Sequence, residues 1–215
     1  MISEKKTVAL YLFPKDGEAR SDDRIKAAAA DYAERFGAYA LSSGVTVGRT
    51  ERGKPYLTNL REYGISVSHS GKYLVCALTK GEVGVDIQEH KILANETRED
   101  AQERFARMAR RFYHPREAEY LTGDPFCRFF EVWTAKESYV KYTGEGIDNG
   151  FSAFSVIPDD FCDVDSARAD GLVSWSALGH TFCSVSILDG YSLCICTDGD
   201  VAVTLVDLSV QRNDR

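Results

Sequence analysis

Apolar and polar positions follow two rhythms along this chain, one of strands and one of helices. The run from Thr7 to Phe13 is apolar after its first residue and stops at Pro14, which predicts a buried strand. Ser21-Asp22-Asp23-Arg24 then opens a helix with acidic residues in its first turn. Ala28, Tyr32 and Phe36 share one face of it, up to Gly37, and Tyr39 to Leu41 prolong it. Gly48 to Pro55 reads as a polar loop with a Gly53-Lys54-Pro55 corner. Ile65 to Gly71 alternates, Gly71-Lys72 turns, and Tyr73 to Leu78 returns, which predicts a hairpin. Val83-Gly84-Val85-Asp86-Ile87-Gln88 follows as a strand with its valines and isoleucine on one face and Gly84, Asp86 and Gln88 on the other.

The rhythm then becomes helical. A helix is expected from about Thr97, with Phe105, Met108 and Phe112 inward and Arg104, Arg107, Arg110 and Arg111 outward. That basic side is either a solvated face or a docking aid for an acidic partner. His114-Pro115-Arg116-Glu117 opens a short helix that Gly123 ends. Asp124-Pro125 opens a longer one that Gly144 or Gly146 closes. Strands are expected again at Phe151 to Ile157, Gly171 to Leu178, Thr181 to Ile187, Tyr191 to Thr197 and Val201 to Leu208, before a polar tail.

The hairpin Val67–Cys76 is echoed by Val185–Cys194. Each closes the same order of strand, helical region, loop and hairpin. The fold class expected is therefore α+β, a pseudo-twofold duplication with one subdomain over residues 1–81 and a second over 82–215. Such duplications place sites in the cleft between halves, and Asp86 stands at that seam.

Composition adds limits. With 215 residues, 44% hydrophobic and 27% charged, the chain suits one large core or two small ones. A net charge of −7 gives no reason to expect nucleic acid or an anionic membrane as partner. No stretch of about 20 apolar residues is present. The amino terminus lacks a signal-peptide pattern, so the cytosol is the expected compartment. Cys76, Cys127, Cys162, Cys183, Cys194 and Cys196 form no C-x-x-C pair and read as small buried hydrophobes.

The chemistry concentrates in the long helix. Phe126, Phe130, Trp133, Glu137 and Val140 or Lys141 form one stripe, which begins as core and then carries a carboxylate and an ammonium. Burying an unpaired carboxylate on this stripe is costly, so Glu137 needs a cation: a metal ion, Lys141 one turn on, or both. Taken singly, Asp86 reads as a solvent-facing strand residue, Glu117 as a helix cap and Glu137 as the partner of Lys141. Together, carboxylates from separate elements suit Mg²⁺, which keeps waters and takes substrate phosphates. Lys54 in its glycine-proline turn, Arg24 near a helix start, and Lys136 and Lys141 around Glu137 would fit a ligand with several phosphates. His69 shares a face with Ile65 and Val67, where a structural histidine is the commoner outcome.

Gly84-Val85-Asp86-Ile87, Phe112 through Glu117, and Trp133-Thr134-Ala135-Lys136-Glu137-Ser138-x-x-Lys141 resemble the three signature regions of the Sfp-type phosphopantetheinyl transferases. Ser68-His69-Ser70-Gly71 and Gly53-Lys54-Pro55 resemble two further motifs, in the family's order. The resemblance implies a monomer that binds coenzyme A between its halves. It implies transfer of phosphopantetheine to a serine of an apo carrier protein of the fatty-acid, polyketide or nonribosomal-peptide type, with release of adenosine 3′,5′-bisphosphate. It assigns Mg²⁺ to Asp86 and Glu137, the general base to Glu117, and the pyrophosphate and leaving-group charge to Lys141. Arg24, Gly53, Lys54, Pro55, Ser68, His69 and Lys136 fall to coenzyme A. One position departs: the family often has an acid two residues after the aspartate, where this chain has Gln88, a weaker ligand through its carbonyl. Two alternatives stand beside the transferase, a non-catalytic coenzyme A or nucleotide binder on the same fold and an unrelated Mg²⁺-dependent phosphohydrolase.

Overall fold

A computed structural model describes residues 5–15, 20–146, 150–158 and 171–208. Cys162 and the polar tail from residue 209 lie outside the described residues.

The fold is mixed α+β, with two four-stranded sheets stacked face to face and helices on both outer sides. The first sheet has the order β10-β1-β5-β4, from β1 (Lys6–Pro14), β4 (Tyr63–Ser70), β5 (Tyr73–Lys80) and β10 (Val201–Asp207). The second has the order β6-β9-β8-β7, from β6 (Val83–Glu89), β7 (Leu172–Ala177), β8 (His180–Val185) and β9 (Tyr191–Thr197). Strand β1 is apolar on both faces because it is covered twice. Val8, Leu10 and Leu12 meet Val83, Val85, Ile87 and Ile195 between the sheets, whereas Ala9, Tyr11 and Phe13 pack under α1 (Ser21–Phe36). The outer face of the second sheet carries α2 (Arg98–Phe112), α3 (Pro115–Tyr120) and α4 (Pro125–Thr143).

Helix boundaries follow local chemistry. Gly37, with φ of 67°, closes α1, and a 3₁₀ turn at Tyr39–Ser43 follows. Thr97 and Asp100 form a capping box on α2. Asp124 caps α4, Pro125 fills its first position, and Gly144, with φ of 72°, ends it.

Several expectations need correction. Phe112 is exposed, because the inward row of α2 is Ala101, Phe105 and Ala109 at i, i+4 and i+8. Gly48 to Pro55 is not a loop throughout: Thr50 to Lys54 turns between two short strands, β2 (Val47–Arg49) and β3 (Pro55–Leu57), which pair antiparallel. Residues 151–157 form no strand; they begin with a 3₁₀ turn at Phe151–Ala153. Their backbone is satisfied by side chains instead of a neighbouring strand. Phe151 and Phe154 carbonyls accept from Lys136, Val156 N–H donates to Glu117, and the Val156 carbonyl accepts from Trp175. Strand β10 pairs in parallel with β1, so the end of the described chain returns to the first sheet and the second sheet ends with β9.

The two sheets are stitched edge to edge by alternate serines of β4. The Ser66 hydroxyl accepts from Val85 N–H at 3.0 Å, Ser68 donates to Asp86 at 2.6 Å, and Ser70 accepts from Glu89 N–H at 3.0 Å. On its other side β6 lies so close to α4 that a Cβ on Gly84 would overlap the Ser138 carbonyl oxygen. Gly84→Ala must therefore push helix from strand, at about 2–3 kcal/mol. The expected result is a thermal midpoint lower by several degrees; an unchanged midpoint would disprove the close approach.

Candidate active site

Because α4 lies against β6 at Gly84, from Ser138 to Tyr142, the same turn of the helix also reaches Asp86. The Lys141 ammonium donates to Asp86 Oδ1 at 2.6 Å, and the Ser68 hydroxyl donates to the same oxygen at 2.6 Å. Asp86 is 5% exposed, and its Oδ2 is buried with no hydrogen-bond partner. Burial pushes its carboxyl above the usual aspartate range, while Lys141 and Ser68 pull it back down. The solvent-facing reading of Asp86 is thus excluded. Glu137 is half-buried beside it, and no hydrogen bond or ion pair with another described residue engages its carboxylate. Burial raises its pKa, the nearby Asp86 charge raises it further, and Lys141 opposes both. Gln88 lies two residues beyond Asp86 on the same strand face and turns its amide nitrogen to the Glu89 carbonyl at 3.3 Å.

Among the described residues no three Asp, Glu, His or Cys side chains gather as a metal site. What β6 and α4 bring together is two carboxylates, Asp86 and Glu137, with Gln88 on the Asp86 face of β6. An unpartnered buried Asp86 Oδ2, an unpaired Glu137 carboxylate and an oxygen-only donor set fit a hard divalent cation.

The phosphate-binding candidates divide. Gly53, Lys54 and Pro55 share with Lys141 a cavity of about 210 Å³ in the cleft, along with Ser66 of β4 and Gly144 and Gly146 after α4. Lys54 crosses the cleft, its ammonium donating to Glu82 at 2.7 Å and to the Tyr142 carbonyl at 2.7 Å. Ser68 is buried and faces Asp86, while His69 is exposed at the end of a face that fades from Ile65 through Val67, so it is no satisfied core histidine. Arg24 is buried in α1 with its guanidinium 5.3 Å from the Phe13 ring centre, outside the residues lining that cavity.

Glu117 and Lys136 are not on this face at all. Both side chains are fully buried, 2.8 Å apart. Glu117 caps α3, accepting from His114 N–H at 3.1 Å, while its other oxygen accepts from Val156 N–H at 2.8 Å. Lys136 donates to the carbonyls of Phe151 at 2.7 Å and Phe154 at 2.5 Å. Burial drives Glu117 up and Lys136 down in pKa, and each charge counters the shift of the other. The carboxylate expected as base and the lysine expected on coenzyme A thus have their hydrogen-bonding capacity used inside the protein. The sequence did carry a signal for Lys136, which continues the row Phe129 and Val132 at i, i+3 and i+7, both buried. The serine ladder was also visible as Ser66-x-Ser68-x-Ser70 on one strand face. Arg52, which lines the cavity beside Gly53, was not singled out.

No helix among the described residues is long and apolar enough to cross a membrane. Comparison with known proteins converges on one family. The chain is 29% identical over 167 residues to a 4′-phosphopantetheinyl transferase of Bacillus subtilis, covering 74% of this chain and 66% of that protein. It is 33% identical over 122 residues to the 4′-phosphopantetheinyl transferase psf-1 of Bacillus pumilus, covering 54% and 48%. It is 26% identical over 162 residues to the 4′-phosphopantetheinyl transferase Sfp of Bacillus subtilis strain 168, covering 72% and 63%. The chain thus spans about half to two thirds of these relatives' length. The profile of the 4′-phosphopantetheinyl transferase superfamily matches residues 82–196, more than half of the chain and the stretch that holds Asp86, Glu137 and Lys141. With its carboxylates and lysine gathered where β6 meets α4, this chain belongs to the 4′-phosphopantetheinyl transferase superfamily.

Proposed function

We propose that the protein transfers the phosphopantetheine arm of coenzyme A to a serine hydroxyl of an apo carrier protein and releases adenosine 3′,5′-bisphosphate. The observation that carries this reading is the meeting of Asp86, Glu137 and Lys141 at the edge of the cleft that also holds Gly53, Lys54 and Pro55. The halves that flank the cleft are read as a duplicated unit. The order β1-β5-β4 in one sheet matches β6-β9-β8 in the other, all neighbours antiparallel, with β10 returning to the first half.

Asp86, Glu137 and the Gln88 carbonyl would hold Mg²⁺, which supplies charge stabilisation for the pyrophosphate. Lys141 reaches the same edge and meets the negative charge that builds on the departing bisphosphate. Lys54 and the Gly53-Pro55 turn hold the nucleotide end of coenzyme A. With Glu117 sealed away, Glu137 is the carboxylate left at this edge of the cleft to accept the serine proton. Ser68 holds Asp86 in place.

Nucleotide analysis tests this reading. Adenosine 3′,5′-bisphosphate should accumulate only when coenzyme A, Mg²⁺ and an apo carrier are all present. Release without a carrier would make the protein a hydrolase, and tight coenzyme A binding with no release would make it a binding protein. Gln88 leaves the proposed cation one negative charge short. Gln88→Glu is therefore expected to tighten Mg²⁺ about tenfold in a calorimetric titration without coenzyme A. No gain in affinity would remove Gln88 from the cation's surroundings.

A further inference from the structure

Neighbouring residues of a helix point about 100° apart, so the rotation of α4 decides whether Glu137 or Lys136 faces Asp86. That rotation is fixed from two sides. Gly84 lets the backbone at Ser138 settle onto β6. Away from that contact, Lys136 runs into the interior and ties the carbonyls of Phe151 and Phe154 to Glu117, whose second oxygen holds Val156 N–H. One buried ion pair therefore joins α3, α4 and residues 151–156. The segment it fastens sets Phe154 against Tyr139, with ring centres 5.2 Å apart, on the wall of a cavity of about 650 Å³. That cavity shares Arg52, Val140, Gly144 and Gly146 with the smaller one.

We infer that Glu117 and Lys136 are positioning residues, a buried clamp that sets the rotation of α4 and the wall of the cleft without touching substrate. The kinetic part of this assignment rests on the transferase reading; the structural part does not. The protein carries its own reporters, since both tryptophans flank the clamped segment. Trp133 lies edge-on to Phe151 at 5.3 Å, and Trp175 Nε1 donates to the Val156 carbonyl at 2.8 Å.

The test is a double-mutant cycle of Lys136→Met and Glu117→Gln, read by thermal midpoint, near-ultraviolet circular dichroism and steady-state transfer at a temperature where each variant is folded. Lys136→Met leaves a buried carboxylate without its cation, so the midpoint should fall by about 10 °C and the tryptophan signal should weaken. Its kcat should fall about 10- to 100-fold through misaimed Glu137 and Lys141, with KM for coenzyme A little changed. Glu117→Gln added to Lys136→Met should cost nothing further and recover several degrees. Additive thermal losses would overturn the clamp, and an unchanged kcat in folded Lys136→Met would reduce it to plain stabilisation. A kcat loss above about 100-fold from Glu117→Gln in both backgrounds, with the tryptophan signal intact, would make Glu117 the base and overturn it as well. If the unaltered protein modifies no carrier, the transferase reading fails, and the thermal and spectroscopic cycle still decides the clamp.

Discussion

Glu137→Gln is expected to cut carrier modification by about 10²–10⁴-fold while the folded protein becomes slightly more stable. The two effects share a cause. Glu137 is half-buried on α4 with no hydrogen-bond or ion-pair partner among the described residues, and it faces the Asp86 charge, which Lys141 only partly offsets. Glutamine keeps its shape and removes the charge that burial and Asp86 both disfavour, so about 1 kcal/mol of stability should be recovered, a few degrees in the thermal midpoint. The same change takes away the oxygen charge that a divalent cation needs and the group that accepts the serine proton. Transfer near the normal rate would place the chemistry elsewhere, and a large fall in the midpoint would mean that the side chain is structural.

Lys141→Met should be costly in both respects. Its ammonium is 2.6 Å from Asp86 Oδ1, and it is the charge that offsets the burial of that carboxylate. Without it, transfer should fall about 10²–10³-fold for want of a cation at the leaving group. Stability should fall by about 2 kcal/mol, below the value for a fully buried pair because Lys141 is partly exposed. The pH dependence carries a sign. Asp86 has a folded pKa above the ordinary 3.8, so the folded state keeps the proton longer than the unfolded chain. Stability therefore declines as pH rises from about 3.8 through the raised value, and losing Lys141 raises that value and deepens the decline. Thermal melts from pH 4 to 8 should show the variant's deficit growing with pH, and Asp86→Asn in the Lys141→Met background should restore most of it. A deficit independent of pH would contradict the pairing.

Local signals in the sequence were read where local chemistry decides. The limits of α4 follow from Asp124, Pro125 and Gly144, and the strand and hairpin boundaries around Gly71 and Asp86 from turn residues and alternation. Glu137 and Lys141 stand out in the sequence because charge interrupts an apolar row, and Asp86 because it sits on the polar face of a strand at the seam between halves; the fold brings the three together. What was not legible depends on tertiary partners. Residues 151–157 look like a strand, yet their backbone groups are taken by Lys136, Glu117 and Trp175, which no local pattern announces. Glu117 has the sequence of a helix cap and is one, but its complete burial comes from Lys136 arriving on another helix. Strand β10 reads as a strand, while its return to β1 is a matter of topology.

The most direct measurement is the intact mass of an apo carrier domain after incubation with this protein, coenzyme A and Mg²⁺. The account predicts a gain of one phosphopantetheine on the carrier serine, absent when that serine is replaced by alanine and nearly absent with Glu137→Gln. Unchanged mass on fatty-acid, polyketide and nonribosomal-peptide carriers alike, from protein that binds coenzyme A, would contradict it.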